Sequence, residues 1–251
     1  MIIPMSQPQG HFGRLDAVEN LHGRVTRSLG LRLIHAEQSG SVVLFPKEAE
    51  LCQQLGVSRS ILREAIKVLA DKGMLQVRPR SGTRSRPRSE WNLLDPDILC
   101  WQAEARPDAR FLRELCEVRL AIEPTASGFA ALRATPEQTS AMGAALDRCE
   151  SLDGEDTEAL VESNVSFYET VVAASQNPMF RQLSAGIQAP MRVAISFTAH
   201  LPASRALERE ANRRLYHAIL RHDPPAARAA AEEIVGFAML AVEEVIERKK
   251  L

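Results

Sequence analysis

Arginine is the residue type in this 251-residue chain whose placement most invites chemistry, and its spacing separates two kinds of work. Arg59 and Arg63 stand four apart behind Ser58, on one side of any helix that carries them, and Lys67 extends that side by a turn. Guanidinium groups so placed can donate paired hydrogen bonds to guanine O6 and N7. Five further arginines, Arg78, Arg80, Arg84, Arg86 and Arg88, follow with no acidic residue among them. Up to Glu90 there are fourteen Lys/Arg against eight Asp/Glu, and beyond it seventeen against twenty-four. The near-neutral total therefore joins a part that attracts a polyanion to a part that repels one. A solvated basic face accounts for the same residues taken singly, and Arg86 and Arg88 fit a basic linker as well as they fit DNA.

A different chemistry is available to Arg119, whose planar fork suits a carboxylate. Asn164 and Tyr168 lie four apart among Val161, Phe167, Val171 and Val172, and Asn212 shares a helical face with Leu215 and Ile219. Polar groups on packing faces need partners, and a polar metabolite can supply them. The structural alternative has equal standing at this level. The amides and phenol would satisfy backbone groups, and Arg119 would pair with Glu123 one helical turn away.

The elements that must hold these residues fall into two architectures. A first helix is expected from Asp16 to about Ile34, on the recurrence of Val18, Leu21, Val25, Leu29 and Leu33, with Gly23 and Gly30 as weak points. A short helix opens at Pro46 and runs to Leu55, Gly56-Val57 interrupts it, and Ser58 caps a second helix. Ile61 takes the place where a full capping box would have Glu or Gln. Gly73 ends that helix, Leu75–Arg78 reads as a strand, and Pro79 to Gly82 form the tip of a wing with a second strand behind it. In this arrangement the helix enters the major groove, while Ser60, Arg78, Arg80 and Thr83 hold the backbone and Gly82 permits the turn.

After a basic, proline-bearing transition with Trp91, the pattern is almost wholly helical. Helices are expected over 110–133, 136–151, 155–175, 178–199, 204–222 and 225–248, the first with Phe111, Leu112, Leu115, Val118, Ile122, Ala126 and Phe129 on its packing surface. The fold class is mainly α: an N-terminal winged helix-turn-helix over 12–85, a linker and connecting helix over 86–108, and an antiparallel helical bundle over 109–249. Residues 1–11 are expected to be loosely ordered.

The run from Phe45 through Leu69, followed by Gly73-Met-Leu, closely resembles the winged-helix signature of bacterial GntR-family regulators. The family's two helix arginines match Arg59 and Arg63, and its wing glycine matches Gly82. A further family arginine falls at Ala49, where Lys47 supplies the nearby charge. Glu114 to Pro124 and Ala218 to Ala227 resemble the fatty-acid-regulator-like branch with an FCD effector domain. The segment Trp91 to Trp101 is similar to the linker of sugar-acid regulators, galactonate repressors among them. The resemblance implies operator DNA as a partner, a homodimer, and a small carboxylate or sugar-acid effector bound near Arg119, Asn164, Tyr168 and Asn212.

Many members of this branch bind a divalent metal through an Asp and three His. Those positions fall at Asn164, Tyr168, Asn212 and Ile234, none of which is the expected ligand type, so no metal or other cofactor is expected. Catalysis is not expected either. His200, His217 and His222 are accompanied by no hydrolase nucleophile motif and no dinucleotide-binding glycines. Cys52, Cys100, Cys116 and Cys149 are too far apart for a paired-thiol motif. With no membrane span or secretory signal legible, a cytoplasmic repressor is the expectation. A DNA-tethered regulator whose helical part recognises another protein is the alternative.

Overall fold

The computed structural model describes residues 21–78, 82–105, 108–152, 156–198 and 202–249. Among them are ten α-helices and one two-stranded antiparallel sheet. The order is α1 (Leu21–Gln38), α2 (Glu48–Leu55), α3 (Arg59–Asp71), β1 (Leu75–Arg78), β2 (Gly82–Ser85), a 3₁₀ turn (Arg88–Glu90) and α4 (Pro96–Glu104). It continues with α5 (Ala109–Arg133), α6 (Pro136–Ser151), α7 (Thr157–Ala174), α8 (Pro178–Thr198), α9 (Pro202–Leu220) and α10 (Pro224–Lys249). The mainly helical expectation holds, with a winged helix-turn-helix ahead of a larger helical unit.

Two hydrophobic cores form. The first joins Leu29, Leu33, Leu62, Leu69, Met74, Trp91 and Trp101, and the second is made by α5 to α10 around Leu112, Phe167, Leu215 and Ile234. The segment between the expected units contributes Trp91, Ile98 and Trp101 to the first core. Asp95 caps α4 by accepting from the N–H groups of Asp97 and Ile98, and Pro96 takes the first helical position, where a missing N–H costs nothing. α4 packs on α1 on one side and on α8 on the other, so it is the strut between the two cores. Three-residue turns join α7 to α8 and α9 to α10, and helix neighbours joined so tightly run antiparallel.

Several local expectations need correction. The described part of α1 runs four residues past Ile34, and Gly30, expected as a weak point, is a packing position: it lies under the Trp101 ring, and a Cβ there would sit 2.5 Å from the ring. Residues 1–20, and with them the Asp16 start and the loosely ordered terminus, lie outside the described residues, as do Pro79, Arg80 and Ser81 at the wing tip. α2 opens at Glu48 and not at Pro46, with Lys47 as an N-cap that makes no side-chain cap bond. Gly73 ends the helix as expected, with φ of 78°, and a side chain there would meet the Glu90 carbonyl oxygen at 2.3 Å. On α5 the buried stripe is partly charged. Arg119 and Glu123 are buried, whereas Val118, Ile122 and Phe129 are only half-buried.

Candidate nucleic-acid interface and buried charge cluster

The recognition element is built from its cap outward. Ser58 Oγ accepts from the Ile61 N–H at 3.4 Å and lies 2.9 Å from Ser60 Oγ, which fixes the first turn of α3. Leu62, Ala65 and Leu69 are buried against the core, and the opposite face carries Arg59 and Arg63 with side chains 71% and 68% exposed. The Arg63 Nε donates to Glu48 at the start of α2 at 3.0 Å, and the same carboxylate lies 4.0 Å from the Arg59 Nε. At that exposure the pairs are weak, within about 1 kcal/mol, and phosphate or base oxygens can replace them.

The wing sits beside this helix in a defined register, Leu75 opposite Ser85 and Arg78 opposite Gly82. Sequence reasoning missed what anchors it. The Phe45 N–H donates to the Thr83 carbonyl and the Ser85 N–H to the Val43 carbonyl, both at 2.9 Å, so residues 43–45 brace β2. Arg63, Lys67, Val77 and Thr83 together line an open groove of about 420 Å³ between α3 and the wing. Arg78 and Lys47 are exposed, and Gly82 has a φ of 86°, in keeping with its turn role. The basic run does not continue as one face. Arg86 pairs with Glu90 at 2.6 Å, and Arg88 is buried, donating to Glu114 on α5 and to Gln102 on α4. Arg88 thus ties the exit of the wing to the helical unit and is neither a DNA contact nor a linker charge.

In the helical unit, the structure brings Arg119 and Tyr168 together through a third residue. Arg119 donates from Nε to Glu123 Oε1 at 2.8 Å and from Nη2 to Oε2 at 3.4 Å, and the Tyr168 hydroxyl donates to the same Oε2. Both partners of the ion pair are almost fully buried, 4% and 3% exposed. The Arg119 guanidinium lies 5.6 Å from the Tyr168 ring centroid. Burial, the largest single effect, would lower the Arg119 pKa, but the charges of Glu123 and Tyr168 and the hydrogen bond to Glu123 together outweigh it and the net shift is upward. Burial pushes the Glu123 carboxyl up against the opposing pull of Arg119 and Tyr168, and it pushes the Tyr168 phenol well up. A small cavity of about 20 Å³ adjoins the cluster, lined by Cys116 and Arg119 of α5, Ala194 and Ile195 of α8, Glu208 of α9 and Val242 of α10. Glu208 is half-buried, and desolvation raises its pKa against the pull of Arg119. Neither pattern nor motif pointed to Glu208.

Asn164 and Asn212 are not drawn into this contact set. The Asn164 amide donates to the Leu160 carbonyl of its own helix at 3.2 Å, while Asn212 Oδ1 is buried without a hydrogen-bond partner. A divalent metal finds no fit at the four family positions. One amide serves its helix backbone, the phenol serves Glu123, Ile234 is apolar, and a single orphan amide oxygen remains. Among the described residues no group of three His, Cys, Asp or Glu could hold a metal. His217 is exposed against Tyr216, His222 Nδ1 contacts the Ala131 carbonyl oxygen, and His200 lies outside the described residues. All four cysteines are free.

Comparison with known proteins agrees with both halves. Residues 39–84 match the model for bacterial regulatory proteins of the gntR family, and residues 114–237 match the FCD domain. The chain is similar to the galactonate operon transcriptional repressor of Escherichia coli K12, 30% identical over 231 residues, covering 90% of this chain and 98% of that one. It is also 28% identical to the uncharacterized HTH-type transcriptional regulator YieP of the same organism, over 93% of this chain and 98% of that one. In fold it resembles the protein Lar of Listeria monocytogenes, with a TM-score of 0.60 at 17% identity, covering 92% of this chain and 99% of the other. No helix among the described residues is long and apolar enough to cross a membrane.

Proposed function

Because this chain belongs to the GntR family of bacterial regulators and carries its FCD domain, we propose that it is a homodimeric repressor that leaves its operator when a small carboxylate, a sugar acid, binds the helical unit. The observation that carries the DNA half of this reading is the pair of exposed arginines on the Ser58-capped α3, beside a braced wing. Arg59 and Arg63 read base edges, with Lys47, Ser58, Ser60, Arg78, Arg80, Gly82 and Thr83 positioning the backbone. Two such units bind two half-sites related by the dimer axis.

Support for the effector half comes from similarity to a galactonate operon repressor and from the buried Arg119 cluster. The adjoining cavity holds about one water, so a sugar acid enters only if its walls part. Ala194 and Ile195 place α8 in those walls, and α8 packs on α4, which packs on α1. Lys72, just past the end of α3, is tied to Asp95 and Asp97 at the head of α4, each at 2.7 Å. Opening the cavity therefore displaces the strut on which the recognition element rests, and the effector shifts the population toward a geometry that no longer matches both half-sites. The alternative, a helical unit that docks a protein, draws on the exposed Leu132, Met179 and Leu240.

The test is fluorescence anisotropy on duplexes from the chain's own upstream region, titrated with sugar acids at fixed salt. Release by one of them is expected. Operator binding that no small acid alters would overturn the effector half and favour the protein-docking alternative.

A further inference from the structure

We propose that Glu123 is a built-in stand-in for the effector's carboxylate, and that effector binding is an exchange in which the incoming carboxylate takes the Arg119 fork while Tyr168 retains Glu123. This rests on the reading of Arg119 as the effector's anchor. In the structure that anchor is already engaged by a carboxylate of its own helix. Glu123 lies four residues on in the same helix, engages both Nε and Nη2, and shares the guanidinium's burial. Such a pair forms from local spacing, before any ligand arrives.

Three features favour exchange over simple addition. The first is charge: Glu208 lines the same cavity, and Arg119, the partner of Glu123, is the one cation among the described residues that line it. A ligand carboxylate added beside an undisturbed Glu123 would gather three carboxyl groups around a single guanidinium in a desolvated site. The second is space, since a cavity of about 20 Å³ beside Arg119 has no room for a carboxylate unless a side chain gives way. The third is the Tyr168 hydroxyl. It already donates to Glu123 Oε2, so Glu123 can leave the fork without being stranded as an unpartnered buried group.

Exchange has a consequence for specificity. Only a ligand that offers its own carboxylate can replace the one that is lost, so neutral polyols of the same shape are excluded however well their hydroxyls fit. It also sets the affinity, because every effector competes with an intramolecular rival and its apparent Kd is the intrinsic one divided by the fraction of fork the rival leaves free.

The experiment is calorimetry on the full-length protein with D-galactonate, D-gluconate and acetate as carboxylate probes and galactitol as the neutral control, comparing wild type with Glu123→Gln and Tyr168→Phe. Replacing the charged rival by a neutral amide of equal shape is expected to tighten carboxylate binding by about tenfold, the difference between a charged and a neutral hydrogen-bond acceptor. Tyr168→Phe is expected to weaken it, and galactitol to show no heat with wild type. Carboxylate binding that is unchanged or weaker in a folded Glu123→Gln protein overturns the exchange while leaving the effector reading standing. Should Glu123→Gln fail to fold, galactitol binding to wild type as tightly as galactonate overturns it equally. If no carboxylate binds wild type, the effector reading falls and the exchange falls with it.

Discussion

Arg63 and Arg119 make almost the same bond in opposite surroundings. Each donates from Nε to a glutamate, at 3.0 Å to Glu48 and 2.8 Å to Glu123, yet one guanidinium is 68% exposed and the other 4%. Water already solvates the first pair, so exchanging Glu48 for a DNA phosphate or base changes little in the protein. The second pair has given up its hydration, and each partner is now the other's main compensation. A guanidinium on the surface can therefore change partners readily, and a guanidinium in the core gives up its carboxylate only at the cost of a buried, unpaired charge. On the proposed reading, the two ends of this molecule put one side chain to two tasks by varying its access to water.

That contrast can be broken most sharply at the buried end. Arg119→Ala leaves Glu123 without its cation, and a loss of about 3–5 kcal/mol in urea unfolding of the helical unit is expected; a loss within 1 kcal/mol would mean the cluster is far better hydrated than its burial implies. Gly30→Ala tests the strut between the two ends. Its Cβ would sit 2.5 Å from the Trp101 ring, itself buried between α1 and α4. Overpacking there is expected to cost about 1–3 kcal/mol in thermal stability, and to blunt the effector's influence on operator release. Ser58→Ala removes the α3 cap, for which about 1 kcal/mol is typical, and operator affinity should fall with it in a gel-shift titration. Glu48→Ala, which breaks the exposed pair, is expected to change unfolding free energy by less than about 1 kcal/mol, and its whole effect should disappear at high salt.

How legible each end was in the sequence follows the same division. α3 and its wing were readable because their signals are local: a serine at the cap, a glycine at each turn, and arginines four apart. Arg88 was not, because its partner Glu114 lies twenty-six residues on and nothing in a basic run distinguishes the one member that folds inward. Gly30 looked like a weak point in a helix until Trp101, seventy-one residues away, supplied the reason for it. On α5, apolar periodicity pointed to Val118, Ile122 and Phe129 as packing residues, whereas the bundle buries Arg119 and Glu123 more deeply. A charged pair that satisfies itself within one turn can enter a core that hydrophobicity alone would deny it. The Arg119–Glu123 spacing was visible from the start. Its burial, the Tyr168 hydroxyl and the nearby Glu208 depend on which faces of α7 and α9 turn toward α5, and that is set by long-range packing.

The account stands or falls on α3 as a sequence reader. Its most direct test is the affinity of wild type, Arg59→Ala and Arg63→Ala for an operator duplex and for random duplex over a range of salt concentrations. Each substitution is expected to cost about 1–3 kcal/mol on the operator, roughly fivefold to 150-fold in affinity, while binding to random duplex falls far less. Equal losses on both duplexes, or no loss on either, would contradict it.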